Sequence, residues 1–490
     1  MISLMIKSIK HFAENSIKIF EKLEENFYEN PKDFNSYVTG ITEELHKLGL
    51  MMIEESLEEM NQVLIDSGVR KRNWIIEKHS SKKLITSLGT VSFKKTLFKN
   101  RETQECHYLL DQLLGMESHE RFTEDAEVRM LEEAVQTSYR RAGEETSMMD
   151  SVSKQTVKNK LHLLKFPDNP EAAEKKKRSC LYIDADEDHV ALQFQEKKGD
   201  LSVSENGQKN NGMITKLVYV YEGVEPEAPK SKRYRLINPY YFSGACENNE
   251  QFWKKVWDYI KTHYETDALD KIYINGDGAE WIRAGRKYLE KAAFILDEYH
   301  LSKSIIRLTS HMKDSIDDSK AELYEAIRKN SKQEFKEIVE RLKNALPDES
   351  GEKRIRDNSE YILNNWTAAR TRLIYRNEIC GCSAEGHVSH ILSSRMSSRP
   401  MGWSRLGAGK MSELRAYYKN NRDMIELVRY QKQELPMAAG AEEVILSSVK
   451  VLRSESNRNG NLGKYTDAMQ GHVGNSVRKK LAIIDKIWDL

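Results

Sequence analysis

Apolar residues recur at helical intervals over roughly the first 68 positions, give way to alternation, return to the helical interval, and alternate again near residue 180. In ITEELHKLGLMMIEESLEEMNQVLIDSG, Leu45, Leu48, Met52 and Ile53 fall at helical spacing. LITSLGTVSFKKTLFKN, from Leu84 to Asn100, alternates around Gly89 and predicts a β-hairpin within a small region over 69–120. Helical periodicity resumes from Thr123 to Leu164. There a helix ending near Arg141-Ala142-Gly143 leads to a short helix, to Ser153 as an N-cap, and to a helix bearing Lys154, Gln155, Lys158, Asn159 and Lys160. That spacing suits a helix-turn-helix over 121–170, whose second helix offers Lys154 and Lys158 to a major groove. An ordinary trihelical linker with a solvated basic face fits the same pattern. EAAEKKKRS, from Glu171 to Ser179, reads as an exposed linker.

Beyond it, CLYIDA, HVALQFQ and KLVYVYEG predict three successive strands in an antiparallel meander. A helix follows in NEQFWKKVWDYIKTHY, where Phe252, Val256 and Ile260 make one apolar stripe. Then come the strand KIYIN, a Gly-Asp-Gly turn, the helix AEWIRAGRKYLEK, the strand AAFIL and a helix opening at Asp297. This βββαβαβα order predicts an α/β chain with a ribonuclease H-like core and a mixed sheet. A doubly wound dinucleotide binder is disfavoured, because no G-x-G-x-x-G follows any strand. From about Ser302 to Trp366 the pattern is helical, with Phe335, Ile338, Leu342 and Leu346 on one face, and too long for a simple connection. It predicts an all-helical insertion. The expected organisation is therefore helices over 1–68, the hairpin region, the helix-turn-helix-like region, the first part of the core over 178–301, the insertion over 302–378, the rest of the core over 379–425, and a tail over 426–490.

In such a fold, acids on the first strand, at the end of the fourth and on a helix after the fifth converge. Asp184 and Asp186 stand in LYIDADEDH, Asp277 ends the fourth strand between two glycines, and Glu385 opens the helix-compatible AEGHVSHILSSRM. Strand alternation puts Asp184 and Asp186 on one face. Asp186 is the first choice, then Asp184, then Asp188; most acids in this run must be solvated. An Asp in a turn also commonly bonds its own backbone, and an acid in a first helical turn is favoured by the dipole alone. Three carboxylates offer hard oxygen ligands to Mg2+ or Mn2+, and two such ions about 3.5 to 4 Å apart serve phosphodiester cleavage.

Charge narrows the partners little. The 490 residues carry 77 Lys and Arg against 76 Asp and Glu, net +1, so any nucleic-acid contact must be a local patch. Length suggests about three domains. Five scattered cysteines fit a reducing compartment, and Cys380-Gly-Cys382 lacks the second pair a zinc site needs. The amphipathic N-terminal stretch is unlike a signal peptide and no run reaches membrane-spanning length, which predicts a cytoplasmic, nucleoid-associated protein with no membrane partner.

Four blocks carry a resemblance: YIDADEDHVALQ, YINGDGAEWI, FILDEYHLSKSI and CSAEGHVSHILSSRMSSRPMGWS. Together they resemble the ISLre-type insertion-sequence transposases, a group that includes an uncharacterised-protein family and is distantly related to Mutator-like DDE transposases. The resemblance implies that Asp186, Asp277 and Glu385 hold the catalytic metals. It also implies a helical insertion between the second acid and the Glu, and Glu385 indeed lies 108 residues after Asp277. Mutator relatives often have Asp-Gly-Thr at the first acid, whereas Asp186 precedes Glu187-Asp188. LDEYH resembles their Asp-x-x-His motif, so Asp297 and His300 would support the metal carboxylates or touch DNA; a helix cap and a satisfied imidazole is the alternative. In SSRMSSRPMGWSRLGAGKM, Arg395, Arg399, Arg405 and Lys410 would suit phosphates, and Trp403 would either stack on an unpaired base or sit in the core.

The resulting expectation is a DDE-type transposase that binds terminal inverted repeats, cuts 3′ ends and joins them to target DNA, working as a homodimer or larger. A metal-dependent nuclease or resolvase without strand transfer, and an inactive domesticated DNA-binding protein, are the rivals.

Overall fold

The computed structural model describes residues 6–117, 119–194, 211–245, 248–347, 349–399, 401–432 and 437–458. The chain divides into two units, Met1–Val157 with Met424–Leu490, and Lys158–Asp423. No helix among the described residues is long and apolar enough to cross a membrane.

The first unit is built on a 33-residue helix, Phe34–Asp66, and a three-stranded antiparallel sheet of β1 (Trp74–Ile85), β2 (Thr90–Asn100) and β3 (Cys106–Tyr108). The expected hairpin is present, with Ile85 opposite Thr90, but its first strand begins ten residues earlier than the alternation suggested. Residues Ile75 to Lys78 are exposed and polar neighbours dominate there, so no buried face marked them as strand. Leu64, Trp74, Phe93, Phe98, Leu109 and Val444 share one core. Helices Glu124–Gln136, Tyr139–Glu144 and Lys154–Leu163 follow. The Ser153 hydroxyl accepts from the Thr156 N–H at 3.2 Å, as an N-cap should. A Cβ on Gly143 would lie 2.2 Å from the Val152 carbonyl oxygen, so only glycine permits this close turn.

In the second unit one five-stranded sheet positions everything else. It comprises β4 (Cys180–Ala191), β5 (Gly212–Tyr221), β8 (Tyr240–Gly244), β9 (Lys271–Gly276) and β10 (Ala292–Leu296), in the order β10-β9-β4-β5-β8. Neighbours β4, β5 and β8 run antiparallel, while β9 and β10 run parallel to β4. Between β5 and β8, β6 (Gly223–Pro226) and β7 (Tyr234–Ile237) form a separate two-stranded hairpin.

This corrects the expected meander. CLYIDA and HVALQFQ are not two strands but mainly one, β4, which runs unbroken through its acids to Ala191; the third antiparallel strand is YYFSG. The acidic run looked like a loop because charge is rarely buried. Here alternation persists, with Ala185 on one face and Asp184, Asp186 and Asp188 on the other, where hydroxyl and amide partners receive two of them.

The Ala185 face is apolar. Leu181, Ile183, Val218, Val220, Ile272 and Ile274 pack against Phe252, Trp253, Val256 and Ile260 of the helix Asn249–His263. At about 1.5–3 kcal/mol per large buried side chain, this seam fixes the register of the whole sheet. After β10, helices Glu298–Thr309, Ile316–Arg328, Lys332–Asn344, Glu352–Asn364 and Trp366–Ile374 form a block with its own core of Leu301, Leu323, Phe335, Leu342, Ile362 and Trp366.

Candidate active site

The acids of β4 have different fates. Asp184 has no exposed surface, and both its oxygens are taken: Oδ1 accepts from Asn275 Nδ2 at 2.7 Å and Tyr221 Oη at 3.1 Å, Oδ2 from Tyr219 Oη at 2.7 Å and the Ser383 N–H at 2.9 Å. Asn275 Oδ1 in turn accepts from the buried Arg372 guanidinium at 2.7 Å. Burial raises the Asp184 carboxyl, opposed by these hydrogen bonds. Asp184 is thus a structural hub with no lone pair facing an open site, which corrects its expected place among metal ligands. Asp188, also buried, accepts at Oδ1 from Ser393 Oγ at 3.1 Å and Ser397 Oγ at 2.8 Å.

Asp186, between them, is the acid left available. Among the described residues its Oδ1 accepts only the Glu187 N–H, at 2.8 Å. Burial, and then the nearby Asp277 charge, push its carboxyl up to about 6, against the Glu187 N–H and His300. The ladder between β4 and β9 ends at Asp184 opposite Asn275, so Asp186 lies two residues past it on β4 and Asp277 two residues past it in the turn that ends β9, near enough for the Asp277 charge to act on Asp186.

Asp277 sits where β9 ends. Its Oδ1 accepts the Ala279 N–H at 2.9 Å, and its backbone carbonyl accepts the Tyr361 hydroxyl. The flanking glycines have separate reasons. A Cβ on Gly276 would meet Ile282 at 2.8 Å and the Ala185 carbonyl at 3.1 Å, and Gly278 has φ +97° with Asn365 at 2.8 Å. Asp277 thus closes its own turn, and its charge also acts on Asp186.

His300 joins them. Its Nδ1 meets Asp297 Oδ2 at 2.9 Å, while Asp297 Oδ1 caps the helix Glu298–Thr309 through the Tyr299 N–H at 3.2 Å. The Asp297 hydrogen bond, together with the charges of Asp297, Asp277 and Asp186, raises the His300 imidazole against its burial. Asp297 therefore caps the helix and holds His300 at once.

Glu385 lies in the first turn of the helix Ala384–Val388, exposed, with no hydrogen-bond partner among the described residues. That helix packs on β4, and Ser383 just before it is bonded to Asp184. Its His387 is held down at about 4 by burial, then by Lys419 and His390. Among the described residues no three His, Cys, Asp or Glu side chains are grouped closely enough to hold a metal ion. Asp186 and Asp277 are therefore brought together, and Glu385 is brought to the same strand without closing a three-acid set.

The basic candidates divide. Arg395 and Trp403 are both buried, the guanidinium lying 4.9 Å over the indole, whose Nε1 donates to the Met396 carbonyl at 2.9 Å. They take the core reading, which removes them as DNA-facing groups. Arg399, Arg405 and Lys154 are exposed; Lys158 and Lys410 are half-buried, Lys410 lying 5.6 Å over the Phe166 ring. Reasoning from sequence missed Arg372, Tyr219 and Tyr221. The last two alternate in LVYVYEG and so share a face, a readable signal; a buried Arg inside TAARTRLI leaves none.

Comparison with known proteins adds a family. The Uncharacterised protein family (UPF0236) matches residues 28–434. A UPF0236 protein of Caldanaerobacter subterraneus subsp. tengcongensis is 32% identical over 459 residues, 93% of this chain and 92% of the relative. A second from the same bacterium is 32% identical over 475 residues, 96% of this chain and 95% of that one. Among solved structures, the Drosophila P element transposase strand transfer complex matches with 9% identity and a TM-score of 0.23, covering 70% of this chain and 88% of that chain. A score that low carries no argument.

Proposed function

This chain belongs to the UPF0236 family, and from its carboxylate site we propose that it is a DDE-type DNA transposase. Its second unit is read as a ribonuclease H-like core interrupted by the helical block. The observation that carries the proposal is the electrostatic nearness of Asp186 on β4 and Asp277 at the end of β9, in a sheet whose first strand is central, whose second runs against it, and whose fourth and fifth run with it. In open α/β sheets such strand ends are where ligands bind. The printed name of one bacterial relative joins eleven locus labels, which suits a gene carried in repeated copies.

By their chemistry, two of the proposed donors suit a divalent cation. Asp186 and Asp277 are hard oxygen ligands whose mutual repulsion in a partly buried place a cation would relieve. Asp186, Asp277 and Glu385 would hold two Mg2+ or Mn2+ ions, which when bound would activate the attacking oxygen and stabilise the leaving one. Asp184 keeps β4, β5 and the Ser383 turn in place, and the Asp297–His300 pair lends positive charge beside the acids. Terminal inverted repeats and target DNA are the partners. Joining two ends calls for a homodimer or larger, and the helix with Lys154 and Lys158 is the proposed reader of the repeats.

The test is a joining assay. Full-length protein is incubated with Mg2+, a labelled duplex carrying the sequences that flank its gene, and a supercoiled plasmid. Transfer of the labelled 3′ end into plasmid by the wild type and not by Asp277→Asn supports the reading; cutting without joining would leave a nuclease, and neither reaction would sink both.

A further inference from the structure

The β6–β7 hairpin was not singled out by any sequence motif, yet within six residues it carries five exposed ones, Lys230, Lys232, Arg233, Tyr234 and Arg235. Arg235 is paired with Glu225 at 2.8 Å, whereas Lys230, Lys232 and Arg233 have no ion pair among the described residues. Tyr234, 63% exposed, is an aromatic ring standing among these cations with nothing to bury it.

Behind the hairpin lies a cavity of about 690 Å³, within the range of small-ligand sites. Tyr234, Leu236 and Val224 form its hairpin wall; Tyr241, Ser383 and His387 form the opposite one. There the Tyr241 and His387 rings are tilted to each other with centroids 5.5 Å apart and are joined by a 3.2 Å hydrogen bond between Tyr241 Oη and His387 Nδ1, while Tyr219, outside the lining, lies 4.6 Å from His387. His387 shares the five-residue helix Ala384–Val388 with Glu385. The cavity is thus linked to Glu385 through one short helix, with Tyr234, Tyr241 and His387 in its lining and the cations on the adjoining hairpin turn.

We infer that the β6–β7 hairpin and this cavity bind an unpaired DNA strand, one base lodging between Tyr234 and the Tyr241–His387 wall and the adjoining phosphates resting on Lys230, Lys232 and Arg233. Interleaved cations and ring faces are what single strands require: charge follows the backbone, and any base stacks on an aromatic face. A duplex cannot use the cavity, since its bases are already stacked. The inference rests on the reading that the site acts on DNA, and it names the form of DNA next to the acids.

Binding of a fluorescent dT 12-mer by the full-length protein, measured by anisotropy in EDTA over a salt series, tests this apart from catalysis. Tyr234→Ala should weaken binding roughly 5- to 150-fold, from about 1–3 kcal/mol per stacked base. Replacing Lys230, Lys232 and Arg233 together by Ala should reduce the slope of log affinity against log salt by about 2. Val224→Trp, which fills the cavity from its rim without changing charge, should weaken dT binding and leave that slope intact. A 12-base-pair duplex should respond only to the charge variant. Unchanged dT affinity in Tyr234→Ala and Val224→Trp, or equal losses for duplex, overturns the inference. Cleavage and joining by the wild type alongside unaffected hairpin variants would leave the transposase reading standing. Hairpin-dependent strand binding without metal-dependent cleavage would do the reverse.

Discussion

Replacing Asp186 by Asn should stabilise the metal-free protein, an unusual sign for a change at a proposed catalytic residue. The carboxyl is lifted from an ordinary 3.8 to about 6, first by burial and then by Asp277. A folded value above the unfolded one means that the folded state holds its proton longer, so stability is lost as pH rises from about 4 to 6 and stays lost above that. About two pH units at 1.4 kcal/mol each make roughly 3 kcal/mol, and water at this half-buried side chain reduces that to about 1–3 kcal/mol. Asn keeps the Oδ1 that accepts the Glu187 N–H and sheds the charge. In EDTA at pH 8 the variant should melt several degrees higher, at about 2–4 °C per kcal/mol for a unit of this size, and the gap should close near pH 4. Saturating Mg2+ should narrow or reverse it, because metal at 100 times its Kd adds about 2.7 kcal/mol to the wild type alone. Thermal melts of both proteins across this pH range, with and without metal, decide it. A variant less stable than wild type at pH 8 in EDTA, or a gap independent of pH, would refute the electrostatic account of Asp186.

Asp184→Ala should do the opposite and cost several kcal/mol, since it strips four partners and the buried Arg372–Asn275 network of their anion; soluble yield and melting temperature report it. His300→Gln should cost more stability at pH 6 than at pH 9. The raised imidazole contributes fully below its ordinary 6.5 and loses that contribution as pH rises through its folded value, so the difference in melting temperature between the two pH values is the readout.

How far the site was legible depended on whether a residue's partners were local. Asp277 announced itself because a glycine on each side of a strand-ending acid is a local turn signal, and Gly278 does take φ +97°. Asp297 and His300 are three apart at a helix start, so their pairing follows from spacing. The choice among Asp184, Asp186 and Asp188 was not legible, because it is decided by Tyr219, Asn275, Ser383, Ser393 and Ser397, all of them distant in sequence. The same cause split β4 in two on paper: its acids are tolerable in a strand only once those donors arrive. Arg395 looked like a DNA-facing group and Trp403 stayed open between base and core, because a cation and an aromatic close together in sequence serve a phosphate surface and a buried contact equally well.

The central claim is that Glu385 joins Asp186 and Asp277 in one metal-dependent cutting site, and it is tested most directly by strand cleavage of a duplex carrying the flanking sequences. Glu385→Gln keeps size and hydrogen bonding and removes one charge, whereas Glu378, exposed and outside the matching blocks, serves as the control. Cleavage with Mg2+ is predicted to vanish in Glu385→Gln and to persist in Glu378→Gln. Normal cleavage by Glu385→Gln would contradict the account.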